Sequence, residues 1–125
     1  MESWRWERLE RAVLALAHPA QVQLALFPDF VCKADELALD LEDALYGIAG
    51  YEAELPAEGR VTLQALGDLL LANSGESNAD FWTEDALIAH PIWEQIRDTA
   101  KATVAALGWE FRPPPPSNAV YIGGA

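Results

Sequence analysis

Asp35-Glu36-Leu37-Ala38-Leu39-Asp40-Leu41-Glu42-Asp43-Ala44-Leu45-Tyr46-Gly47-Ile48 is at once the most regular helix signal in the chain and its densest patch of negative charge. At about 100° per residue, Leu37, Leu41, Ala44, Leu45 and Ile48 share one side of a helix, and Asp35, Glu36, Asp40, Glu42 and Asp43 share the other. The first set predicts a helix that builds a core. Leu39 and Tyr46, one heptad apart, break the division by pointing into the acidic sector. A face that met only water would need no large apolar group there. The alternative is cover by another helix or by residues 113–125.

Working outward, the remaining helix signals surround this one. Ser3 to about Ala17 carries an apolar stripe of Trp6, Leu9, Val13 and Leu16, with Trp4 opposite it. His18-Pro19 opens a short helix to about Phe27, or an extended segment, since Val22, Leu24 and Leu26 alternate with other residues. Beyond the central helix, residues 51–59 read as a polar loop. Thr62 is placed to cap a helix from Leu63 to Asn73, with Leu63, Leu66 and Leu70 aligned and Gly67 on the same side to admit a neighbour. Thr83 starts a short helix to about Ala89. His90-Pro91 starts a longer one ended by Gly108, with Ile92, Ile96, Ala100, Thr103 and Leu107 inward and Trp93 and Val104 flanking. On its outer side Glu94 is spaced to pair with Arg97, and Asp98 with Lys101.

The expected fold is therefore all-α: one domain of about five helices over residues 1–112, then an extended Pro-rich tail at 113–125 that begins with Pro113 to Pro116. A small α+β fold is the alternative if residues 22–26 and Val120 to Ile122 are strands. A chain of 125 residues with 51% apolar residues and five tryptophans has enough to bury in a single core.

Net charge is −12 and unevenly placed. Residues 29–85 hold 14 carboxylates against Lys33 and Arg60, which accounts for the whole imbalance, and the two ends are balanced. Nucleic acid and anionic membranes would be repelled, whereas a basic protein would be attracted. The single cysteine, Cys32, allows no intrachain disulfide and suits a reducing compartment; within Phe30-Val31-Cys32 it reads as a small buried hydrophobe. The apolar run Ala12 to Ala17 is short, and Glu2, Glu7 and Glu10 lie among the arginines before it, so the N-terminus reads as a helix rather than a leader. A cytoplasmic location is expected.

Chemistry has few carriers here. Glu36, Asp40 and Asp43 at i, i+4 and i+7 would project together, and Asp68, Glu84 or Asp85 would complete an oxygen-ligand set for Mg²⁺, as in the all-α nucleotide pyrophosphohydrolases. The Glu-x-x-Glu pair of those hydrolases and its partner are absent, so a metal-dependent hydrolase is the second reading. Both histidines precede proline at helix starts, a capping or packing position. No Gly-rich phosphate loop or nucleophile elbow is present, and neither a catalytic residue nor a cofactor is expected.

The segments Leu26-Phe27-Pro28-Asp29-Phe30-Val31, Asp35-Glu36-Leu37-Ala38-Leu39-Asp40 and His90-Pro91-Ile92-Trp93-Glu94-Gln95-Ile96-Arg97, with the size, charge and helical layout, resemble the small acidic bacterial immunity proteins of toxin-immunity systems. The resemblance lies in overall character rather than in a motif, so it transfers no site residue. It implies a non-enzymatic inhibitor that binds one cognate toxin, for which a basic nuclease is a fitting partner. From the charge pattern itself, the expected contact residues are Asp35, Glu36, Leu39, Asp40, Glu42, Asp43 and Tyr46.

Overall fold

The computed structural model describes residues 3–115. Six α-helices follow one another: α1 Ser3–Ala17, α2 Ala20–Ala25, α3 Lys33–Gly47, α4 Ala57–Ala72, α5 Glu84–Ala89 and α6 Pro91–Ala106. Short 3-10 helices occur at Glu52–Glu54 and Glu76–Trp82. Among the described residues there is no strand, so the fold is all-α and residues 22–26 belong to helix and turn. Val120 to Ile122 and most of the Pro-rich tail lie outside the described residues.

α3 runs antiparallel to α1, since Arg5 near the start of α1 meets Gly47 at the end of α3, and α6 runs antiparallel to α4, since Leu107 at the end of α6 comes against Gly59 near the start of α4. α6 lies between α4 and α1, and α1 lies between α6 and α3. α3 and α4 touch only lightly. The four long helices thus form an arc whose two ends approach each other without closing. α2, α5 and the Glu76–Trp82 segment gather at one end of the arc, against the start of α6.

Each element has a local cause. The stripe of α1 widens toward its end until Ala12 to Ala17 are all buried, because α6 and α3 cover it from two sides. α5 is capped by Thr83, whose Oγ1 accepts from the Ala86 N–H at 3.1 Å. α6 is capped by His90, whose Nδ1 accepts from the Ile92 N–H at 3.1 Å. α6 ends in a Schellman turn: Gly108 takes φ +73°, with its N–H on Ala105 O and the Trp109 N–H on Val104 O. Beyond it, Trp109 packs on the core, Phe111 stacks on His18 at 4.6 Å, and Arg112 pairs with Glu10 at 2.8 Å. The chain after α6 is thereby strapped along α1.

The core centres on Trp93, which is wholly buried, stacks on Phe81 at 4.9 Å and meets Trp82 edge-on at 5.8 Å. Its Nε1–H donates to Phe81 O at 2.8 Å, and that of Trp82 donates to Asn73 O at 2.8 Å. Satisfied indole donors let these large rings be buried without an unpaired N–H. Trp93, rather than Ile92, therefore leads the inward face of α6.

Three expectations are corrected. α4 begins at Ala57, six residues earlier than Leu63, because Pro56 precedes the first turn with a fixed φ and Glu58 lies at the positive end of the helix dipole. Thr62 then lies inside the helix and donates back to Glu58 O and Gly59 O. Arg97 turns inward instead of pairing with Glu94: its Nη1 donates to Leu87 O at 2.9 Å and to Gln23 Oε1 at 3.2 Å. Burial lowers the Arg97 pKa, against the opposing pull of Glu94 and Asp98. Cys32 is exposed, and its thiol donates to Trp82 O at 3.3 Å. Partial desolvation by its neighbours is the first cause of its raised pKa, so the thiol holds its proton more tightly than a free cysteine does.

The close approach expected at Gly67 occurs at Gly59, where a Cβ would fall 2.1 Å from Leu107 Cδ2; at Gly67 the nearest atom, Leu45 Cδ1, would be an ordinary 3.7 Å away. Gly67→Ala is expected to raise stability by about 0.5–1 kcal/mol through helix propensity. Gly59→Ala should fall short of it, because Leu107 must move. Urea unfolding of the two variants checks the ranking, and equal gains would show that Leu107 turns aside without cost.

Candidate functional site

α3 carries its two roles on separate faces. Leu37, Leu41, Ala44 and Ile48 are each 1% exposed, whereas Leu39 is 47% and Tyr46 86% exposed. Leu45, expected in the core, is only half-buried because it lies at the open side of the arc. Asp35, Glu42 and Asp43 are exposed, and Glu36 and Asp40 are partly covered.

The five carboxylates do not form one uniform patch. Asp43 meets Arg8 of α1 at 3.6 Å, with both side chains substantially exposed, an arrangement that contributes little to stability. Asp40 also faces α1. Its pKa is raised first by burial, is pulled back by Arg11 and more weakly by Arg8, and is raised further by Glu36 and Asp43. On the opposite flank, Asp35 and Glu42 line a groove between α3 and α4. Of the seven expected contact residues, Asp35, Leu39 and Glu42 share the groove wall, Glu36, Asp40 and Asp43 lie toward α1, and Tyr46 stands out at the C-terminal end of the helix.

That end is held by Arg5, whose guanidinium donates to the Gly47 carbonyl and lies 4.9 Å from the Trp4 ring centre and 5.8 Å from that of Tyr51. A cation at a helix C-terminus meets the negative end of the dipole. The start of α3 is anchored by Lys33, which is buried and donates to Leu24 O at 2.7 Å and to Asp29 at 3.1 Å. With both ends tied down, the face between them is presented in a fixed orientation.

The groove has a volume of about 640 Å³. Leu39, Leu45, Leu70, Leu71 and Trp82 supply apolar lining, and Gly67 keeps it open. Asp35, Glu42 and Asp68 are its charged residues, and among the described residues no Lys, Arg or His lines it. Sequence reasoning found only the α3 wall. The signal for the other wall was Leu71, which falls about 100° off the stripe of Leu63, Leu66 and Leu70 and is 73% exposed.

The proposed Mg²⁺ ligands do not converge: among the described residues no group of three His, Cys, Asp or Glu side chains could hold a metal ion. Asp40 and Asp43 face arginines, and Asp68 lies on the groove, where it accepts from Gln64 Nε2 at 3.0 Å. His18 donates from Nδ1 to Leu14 O at 2.7 Å, and His90 caps α6, so both have structural positions. Among the described residues no helix is long and apolar enough to cross a membrane.

Because the fold disfavours charged Asp40, the native state holds that proton to a higher pH than the unfolded chain does. Asp40 therefore lowers stability as pH rises through and above the ordinary aspartate range. Asp40→Asn is expected to be more stable than the parent at pH 7, with the advantage shrinking toward acid pH; denaturant unfolding at several pH values checks it. Comparison with protein-family models, with curated proteins and with solved structures finds no match for this chain.

Proposed function

We propose that this chain is a non-enzymatic binding protein of the immunity type, acting in the cytoplasm without a cofactor, that neutralises a basic partner through the acidic face of α3. The supporting observation is the exposure of Leu39 and Tyr46 within the segment that carries the whole charge imbalance. An aromatic side chain with two rotatable bonds gives large contact area at low entropic cost, and Tyr is enriched among residues that dominate binding energy. Surrounding carboxylates speed encounter and reject acidic competitors. A nuclease toxin, which needs a cationic surface for its own substrate, has the chemistry to be captured in this way.

Co-expression with the product of the gene immediately upstream tests the reading: the two should co-purify, and the neighbour's toxicity should be suppressed. Tyr46→Ala is expected to weaken the complex by about 2 kcal/mol or more, chiefly through faster dissociation. Glu42→Gln should act mainly on the association rate, which should itself fall steeply as salt shortens the Debye length to about 3 Å at 1 M. A partner that binds at a salt-independent rate and is indifferent to Tyr46 would remove α3 from the interface. Failure to bind any neighbour would count against the inhibitor reading.

A further inference from the structure

Among the described residues, four long helices arranged in an arc leave a seam unfilled, and the groove between α3 and α4 is that seam. We propose that it seats a single amphipathic helix of a basic partner, with an apolar stripe on Leu39 and Leu71 and flanking Lys or Arg side chains opposite Asp35, Glu42 and Asp68. This rests on the reading that the chain binds a basic protein, and it names the element that is bound.

Three observations on the groove choose this occupant. First, the lining is apolar along its length and acidic in its charged groups, with carboxylates contributed by both walls. That complements a helix with leucine-like anchors at i, i+3, i+4 and i+7 and a cationic flank on each side. Second, the lining runs from Asp35 to Leu45 on the α3 wall and from Gln64 to Leu71 on the α4 wall, so the trough follows two neighbouring helices for about two to three turns, the contact length of a third helix laid between them. No described residue is in a strand, so an added strand would have no sheet edge to pair with. Third, Gly67 sits between Leu45 and open space and supplies no side chain to the trough. Past Gly67, toward the start of α4, the seam continues as a smaller hollow of about 370 Å³ that includes Glu52 and Arg60, so uniformly acidic charge is confined to the part lined by Asp35, Glu42 and Asp68.

The test uses the full chain and a synthetic 15-residue peptide of Leu and Lys only, with leucines at that spacing, beside a counterpart in which Glu replaces every Lys. Amide NMR shifts should change at Leu39, Gly67 and Leu71 with the Lys peptide and not with the Glu peptide. Leu71→Ser should weaken binding at least tenfold; because Leu71 is mostly exposed, the fold should survive the change. Gly67→Phe, which fills the trough, should block binding, and Val61→Ser, at an exposed position of α4 outside the groove, should leave it unchanged. Shifts scattered over the acidic surface, or an unchanged affinity for Leu71→Ser, would overturn the proposal. Groove shifts that depend on protein concentration alone would assign the seam to a second copy, and shifts produced by deleting residues 117–125 would assign it to the chain's own end; either result overturns it as well. The two readings fail separately. A captured partner weakened by Tyr46→Ala but indifferent to Leu71→Ser removes the groove alone. A groove that holds the peptide in a chain that captures no neighbour removes the inhibitor reading.

Discussion

The arrangement of the helices depends on one fully buried amide. Gln23 donates from Nε2 to the carbonyls of Ala15 and Leu16, at 3.1 and 3.2 Å, and accepts on Oε1 from Arg97, which also reaches Leu87 O. The last turn of a helix leaves carbonyls without intrahelical partners, and burying them unpaired would cost about 1–3 kcal/mol each. Gln23 meets that need for α1 and in the same stroke joins α1, α2, α5 and α6. Arg97 is drawn inward because it completes the set, which is why it does not pair with Glu94 on the surface.

From that junction the acidic helix is placed by short steps. α2 ends within reach of Lys33, whose ammonium takes the Leu24 carbonyl as α3 begins. α3 then runs back along α1, and Arg5 receives its far end. Since α1 and α6 already occupy each other, α4 is left to pack on the outer side of α6, and the arc stops short of closing. The seam is thus a consequence of packing order and not of any single small residue, although Gly67 widens it.

The parts of this fold that were legible in the sequence are those governed by local periodicity and caps. α3 could be read because apolar and acidic residues alternate at helical spacing over fourteen positions, and α6 because His90-Pro91 and Gly108 mark its ends. The start of α4 was misread because Pro56 and Gly59 look like loop residues in isolation, while one is compatible with a helix start and the other makes room for Leu107. Arg97 and Cys32 were misassigned for a different reason: their settings are fixed by Gln23, Leu87 and Trp82, partners from 10 to 74 positions away. The exposure of Leu39 and Tyr46 is not readable from α3 alone, because it depends on no described helix covering that side of α3. The second wall of the groove was hidden for the same reason, since neither helix alone reveals which neighbour it lacks.

Leu39 and Tyr46 lie on α3 more than a right angle away from Leu37, Leu41 and Ala44, and they contribute little to the core that those residues build. Mutation can therefore explore the outward positions almost independently of folding, because a change at 39 or 46 alters what the surface presents without leaving a cavity behind it. Such a scaffold can diversify its recognition quickly while its architecture stays constant, and descendants of one ancestor could diverge in what they bind long before they diverge in shape.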